Sequence, residues 1–187
     1  MERSKKGKEK SKIITIPNIL SVVRLALIPL MVWLYCTKED YLMTLVVLII
    51  SGLTDIVDGF IARRFDMISD VGKVIDPIAD KLTQIAMIFC LSINHPKMIM
   101  PVVLLIIKEL SAGITNIVII KKKHQVNGAV WHGKATTVLL YSMIFMHILW
   151  IDIPSILSNL LIAASILMMA YSCVLYMSKN IKILKSK

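Results

Sequence analysis

Four aspartates stand where an otherwise apolar chain has little use for charge. Asp55 and Asp58 are three residues apart, and Asp76 and Asp80 are four apart. On a helix, either spacing sets both carboxylates on one face. Four clustered carboxylates would repel one another and would be costly to desolvate in an apolar setting. One or two divalent cations are the simplest compensation. Oxygen ligands, with no Cys or His nearby, favour Mg²⁺, Mn²⁺ or Ca²⁺ over Zn²⁺. The competing reading is a set of ordinary interfacial ion pairs, for which Arg63, Arg64, Lys73 and Lys81 are close at hand. Gly59 and Gly72 flank the carboxylates. Residues without side chains admit a phosphate or nucleotide to the backbone, and they equally permit close helix packing.

The elements that must position these residues follow from composition. Of 187 residues, 57% are hydrophobic and 18% charged, and the mean hydropathy is +0.75. A chain of this length buries only about two-thirds of its surface on folding. It cannot hide this much Leu, Ile, Val and Met from water, so the remainder must face lipid. The expected fold is all-α: a polytopic six-transmembrane-helix bundle with a short N-terminal cytoplasmic segment. Spans of about 17 to 25 residues can be marked off by charge and by Gly or Pro. They run near 16–36, 41–63, 73–93, 97–120, 133–151 and 154–177, with tight turns at Thr37–Asp40 and Asn94–Pro96 and a polar linker at 64–71. The domain reading is a juxtamembrane segment over 1–15, the helical catalytic domain over 16–177, and a basic tail over 178–187.

Basic residues set the orientation. Six lie in the N-terminal segment, three in 63–73, four in 121–134 and four after Met177, whereas the opposite turns hold only Lys38 and Lys97. The positive-inside rule then places both termini in the cytoplasm. These basic segments need no partner beyond anionic lipid headgroups, and nucleic acid is not expected. No cleavable signal peptide is expected either, because the N-terminal stretch is long and polar. Cys36, Cys90 and Cys173 are too scattered for a disulfide framework or a thiolate metal site. Trp33, Trp131 and Trp150 fit an aromatic belt. His95, His124, His132 and His147 lack zinc-like spacing.

In this topology the second span descends to the cytoplasm and the third begins there, so the four aspartates fall at one shallow depth. The stretch Asp55-Ile56-Val57-Asp58-Gly59-Phe60-Ile61-Ala62-Arg63, then Gly72, Asp76 and Asp80, resembles the signature of the CDP-alcohol phosphotransferase family. Eight specified positions over 26 residues agree in type and spacing. Thr15 to Ser21, with Arg24 and Pro29, is similar to the opening of the family's bacterial phosphatidylglycerophosphate synthase branch. Gly133-Lys134-Ala135-Thr136-Thr137 is similar to that branch's Gly-Lys-x-Thr segment. Lys108-Glu109 departs from its usual Arg-Glu, keeping the charge but losing the bidentate fork.

The resemblance implies transfer of a phosphatidyl group from CDP-diacylglycerol to an alcohol, with release of CMP. It implies two divalent ions, Mg²⁺ or Mn²⁺, on Asp55, Asp58, Asp76 and Asp80, with Asp80 also the general base. It places the nucleotide against Asp58, Gly59, Ala62, Arg63, Gly72 and Asp76, and it implies a homodimer in the bacterial cytoplasmic membrane. Arg63 has a second reading as a snorkelling residue that ends its span.

An acceptor carrying phosphate needs a cationic patch, for which Arg24, Lys108 and Lys134 are the basic residues within apolar spans. Lys108 sits about twelve residues before the cytoplasmic end of its span, about 18 Å deep. A salt bridge from Lys108 to its neighbour Glu109 is not expected, because adjacent residues point to different sides of a helix. Glycerol 3-phosphate is the favoured acceptor. Phosphatidylglycerol, giving a cardiolipin synthase, comes next, followed by serine and inositol phosphate. A small cation transporter would also use clustered aspartates, but no inverted repeat is evident. A purely structural membrane subunit would tolerate Asp80→Asn.

Overall fold

The computed structural model describes residues 15–65, 72–123 and 131–185. Every regular element among them is helical. α1 spans Ile16–Cys36, α2 Tyr41–Arg64, α3 Gly72–Asn94, α4 Ile99–Lys123, α5 Trp131–Leu149 and α6 Ser155–Lys185, with a 3₁₀ turn at Pro96–Met98 before α4. Pro17 stands in the first turn of α1, where a missing N–H costs nothing. Pro29 and Pro77 lie inside α1 and α3. Each removes one helical hydrogen bond.

The turn from α1 to α2 closes on backbone bonds from Thr37 and Lys38 to the Trp33 carbonyl, 3.0 and 3.2 Å. Glu39 takes a left-handed conformation there, φ 54°. Asp40 then caps α2 by accepting from the Met43 N–H at 2.9 Å, which satisfies one of the helix's otherwise orphan amides.

Among the described residues, four helices carry stretches long and apolar enough to cross a membrane: Ile16–Cys36, Tyr41–Ala62, Pro96–Ile119 and Ser155–Ile181. The chain is a membrane protein. Its outward faces agree, with Leu42 70%, Leu167 70% and Ile156 75% exposed. Six such spans are expected from the sequence. The two helices outside the four are polar at their starts, α3 through Lys73, Asp76, Asp80 and Lys81, and α5 through His132 and Lys134.

The helices divide into two compact units, Met1–Met31 with Val46–Thr83, and Val32–Leu45 with Gln84–Lys187. In the second, α6 packs against both α4 and α5. Polar bonds pin the seams. Tyr176 donates to Asn116 at 2.7 Å, Asn180 to Thr115 at 2.9 Å, and the His132 ring meets the Ser172 hydroxyl at 2.9 Å. Each contributes on the order of 0.6 kcal/mol between membrane helices.

Two helix limits differ from the span limits read in the sequence, though the spans themselves begin about where expected, at Pro96 and Ser155. α6 continues past Met177 to Lys185, held by the buried Asn180 in its bond to Thr115. The fourth span opens as a 3₁₀ turn and becomes α-helical only at Ile99.

Candidate active site

The first unit gathers the motif residues. On α1, Asn18, Ser21 and Arg24 recur every three residues and are buried, 6%, 0% and 2% exposed. That is a polar stripe on an otherwise apolar helix. Arg24 reaches α2, where one terminal nitrogen donates to Asp55 and the other to Asp58. The Asp55 side chain is 49% exposed and that of Asp58 only 4%. The Arg24 Nε–H is buried without an acceptor among the described residues. Ser21 offers its hydroxyl to Asp76 on α3 and lies 2.9 Å from the Pro17 carbonyl. With one hydroxyl proton, it serves one of these acceptors at a time.

Asp80 follows one turn after Asp76 and pairs with Lys81 at 3.3 Å, both side chains 24% exposed. Asp58 lies within electrostatic range of Arg24, Asp55 and Asp76 together. Three of the four carboxylates therefore share one neighbourhood. Gly59 and Ala62 are half-buried on α2, and Gly72, buried, opens α3. The side chains of Arg63 and Lys73, and the whole of residues 66–71, 121–130 apart from the helical backbone of 121–123, lie outside the described part.

Whether a divalent ion suits this set depends on its donors and its field. Among the described residues, no three His, Cys, Asp or Glu side chains are gathered closely enough to hold an ion together. Each carboxylate instead has a protein partner, with Asp55 and Asp58 sharing Arg24. Yet Asp55 and Asp58 already hold a positive charge between them, the Arg24 guanidinium. The field of the site is thus one that binds a cation, and its donors are hard oxygens of the kind Mg²⁺ and Mn²⁺ prefer. The donor types fit the ion, while their spacing, with Arg24 between Asp55 and Asp58, is that of a guanidinium site. Its entry would require the guanidinium to give way.

Lys108 and Lys134 belong to the second unit. Lys134 is exposed in the first turn of α5. Lys108, 14% exposed, forms a 2.6 Å ion pair with Glu109, contrary to the expectation from helix geometry. A lysine stem of four methylenes is long enough to curl round to the adjacent side chain. In an apolar helix an ion pair is better than two lone charges.

Ser21 is the contact that motif reasoning passed over. Its signal was present in the three-residue rhythm of Asn18, Ser21 and Arg24, which marks one helix face as polar inside an apolar span.

The model of the CDP-alcohol phosphatidyltransferase family matches residues 14–177, and the chain belongs to that family. It is therefore a membrane enzyme of the transferase class. A CDP-diacylglycerol--glycerol-3-phosphate 3-phosphatidyltransferase of Aquifex aeolicus is 30% identical over 175 residues, 90% of this chain and 97% of that protein. A cardiolipin synthase (CMP-forming) of Streptomyces coelicolor is 45% identical over 76 residues, 38% of this chain and 35% of that protein. The human cardiolipin synthase (CMP-forming) is 45% identical over 69 residues, 36% of this chain and 23% of that protein.

Proposed function

We propose that the chain transfers the phosphatidyl group of CDP-diacylglycerol to sn-glycerol 3-phosphate, giving phosphatidylglycerophosphate and CMP. The observation that carries this reading is similarity over nearly the full length of both chains to the Aquifex aeolicus enzyme. Transfer to phosphatidylglycerol is the second reading, favoured by the higher but shorter identity to the cardiolipin synthases. CMP release with each acceptor in turn, with Asp80→Asn as control, separates the two.

In the reaction, the acceptor hydroxyl oxygen bonds to the phosphatidyl phosphorus as the bond to the CMP phosphate oxygen breaks. Asp80 takes the hydroxyl proton, and its place one turn from Asp76 lets it serve the same site. Asp55, Asp58, Asp76 and Asp80 would hold two divalent ions, Mg²⁺ or Mn²⁺. What such ions supply when bound is neutralisation of the diphosphate and of the charge that builds on CMP. Asp58, Gly59, Ala62, Arg63, Gly72 and Asp76 form the nucleotide side, where small residues admit the cytidine and the arginine meets a phosphate.

The acceptor phosphate falls to Lys134, Arg24 and Lys108. Arg24 supports this role through a buried Nε–H that has no acceptor among the described residues. Lys134 supports it by exposure. Lys108 would have to trade Glu109 for the ligand.

The membrane arrangement we favour has six spans with both termini cytoplasmic, in a bacterial cytoplasmic membrane, as a homodimer. α3 with 23 residues and α5 with 19 are about 34 and 28 Å long, enough to cross alongside the other four. The donor's acyl tails require lipid and its diphosphate requires the polar edge, where the aspartate ends of α2 and α3 would lie.

A further inference from the structure

The transfer chemistry makes no use of the Asn94 end of α3. There the Asn94–Met98 turn and the beginning of α6 enclose a cleft of about 210 Å³, with Asn94, His95, Lys97, Ser155, Ser158 and Asn159 among its walls. Among the described residues, the lining carries one full cation, Lys97, and no carboxylate. Asp152, the acidic residue nearest in sequence, is exposed and outside it.

Ser158 of the lining is fixed from behind by the buried His147. His147, 2% exposed, has Nδ1 2.8 Å from the Met143 carbonyl and Nε2 2.9 Å from the Ser158 hydroxyl. A carbonyl only accepts, so Nδ1 carries the proton, Nε2 accepts, and Ser158 donates. His95 stacks edge-on against this ring, with centroids 5.0 Å apart. At the rim, Lys97 donates to Asn159 Oδ1 at 2.8 Å. That bond occupies one of three ammonium protons and turns the Asn159 amide nitrogen into a spare donor. Among the described residues, the cleft therefore presents an ammonium and an amide donor with no carboxylate beside them. Outward-facing Ile156 and Leu160 of α6, 75% and 62% exposed, set it beside the lipid-facing surface.

We propose that this cleft binds a phosphate group, of a phospholipid headgroup or free in solution, with Lys97 as its cation and Asn159, Ser155 and His95 as hydrogen-bond donors. The site is independent of the transferase reading and stands or falls separately from it.

The reporter is His95 itself. Burial holds its imidazole below the usual range, the neutral His147 ring packs against it, Lys97 lines the same cleft, and a bound anion would draw it back up. The full chain, with its four histidines isotopically labelled and His95 assigned through His95→Asn, is held in dodecyl maltoside micelles, which contain no phosphate. Inorganic phosphate is titrated in one arm and phosphatidylglycerol in the other. We expect a saturable His95 shift and an upward move of its titration in at least one arm. Response to phosphatidylglycerol alone identifies a headgroup, and response to inorganic phosphate identifies free phosphate. Affinity should fall about tenfold in Lys97→Gln, the loss of one charge-assisted hydrogen bond. Asn159→Asp, which sets a carboxylate against Lys97, should abolish the response. Silence in both arms, or equal binding by either variant, overturns the proposal.

Discussion

Arg24 on α1 and Asp58 on α2 form a buried ion pair, their side chains 2% and 4% exposed. A charge pair this far from water is kept only where each partner has no better option, and removing one partner leaves the other uncompensated. The same guanidinium also holds Asp55. One positive charge therefore serves two motif carboxylates, and the trio keeps a net negative charge.

Replacing Arg24 by Met should destabilise the metal-free protein by about 3 kcal/mol or more, the cost of an orphaned buried charge. Mn²⁺ should recover much of that loss, because the ion takes over the compensation. Thermal unfolding with and without Mn²⁺ reads both effects. Equal stabilisation of wild type and variant by Mn²⁺ would separate Arg24 from the ion site.

Ser21→Ala removes the hydroxyl that Asp76 accepts from. Partners that orient a ligating carboxylate typically matter by about tenfold in metal affinity. The Mg²⁺ concentration for half-maximal CMP release should rise by about that factor, with turnover at saturating Mg²⁺ little changed. An unchanged Mg²⁺ dependence would reduce Ser21 to a packing residue.

Lys134→Gln should raise KM for glycerol 3-phosphate and leave KM for CDP-diacylglycerol and kcat nearly unchanged, because a phosphate-binding cation off the reacting atoms contributes uniform binding. Lys108→Gln tests the buried pair instead. If Lys108 serves only Glu109, stability falls and the acceptor KM stays put.

His95 gives a pH dependence of stability. Burial lowers its folded pKa below the ordinary 6.5, so the unfolded chain binds more protons between the two values. Stability is then full above about 6.5 and is lost as pH falls from there toward the folded pKa. Urea unfolding of wild type and His95→Asn across that window checks the sign, and the variant should show the flatter profile.

Helix bounds were legible in the sequence where charge or a turn residue closes an apolar run. α1 ends at Cys36 as read, because Thr37 to Asp40 supplies both its stop and the cap of α2. The end of α6 was not legible, because Ser178 and Lys179 look like a stop while the bond from Asn180 to Thr115 joins residues 65 apart. Spacing alone paired the aspartates two by two, and the structure brings Asp55, Asp58 and Asp76 within electrostatic range. Their partners were not legible: Arg24 meets Asp55 and Asp58 across 31 and 34 residues, and no local periodicity reports a tertiary pairing. Reading Lys108 and Glu109 by backbone direction failed because a long flexible side chain does not keep to its own helix sector.

The central claim rests on Asp80 acting as base for an alcohol that attacks CDP-diacylglycerol. The direct test is CMP release by the purified full chain in detergent with CDP-diacylglycerol, Mg²⁺ or Mn²⁺, and glycerol 3-phosphate, phosphatidylglycerol, serine or inositol phosphate supplied singly. We predict turnover with glycerol 3-phosphate, falling by a factor of about 10²–10⁴ in Asp80→Asn. Turnover only with phosphatidylglycerol would move the chain to cardiolipin synthesis and undo the acceptor assignment. CMP released at the wild-type rate by Asp80→Asn would contradict the account of the chemistry itself.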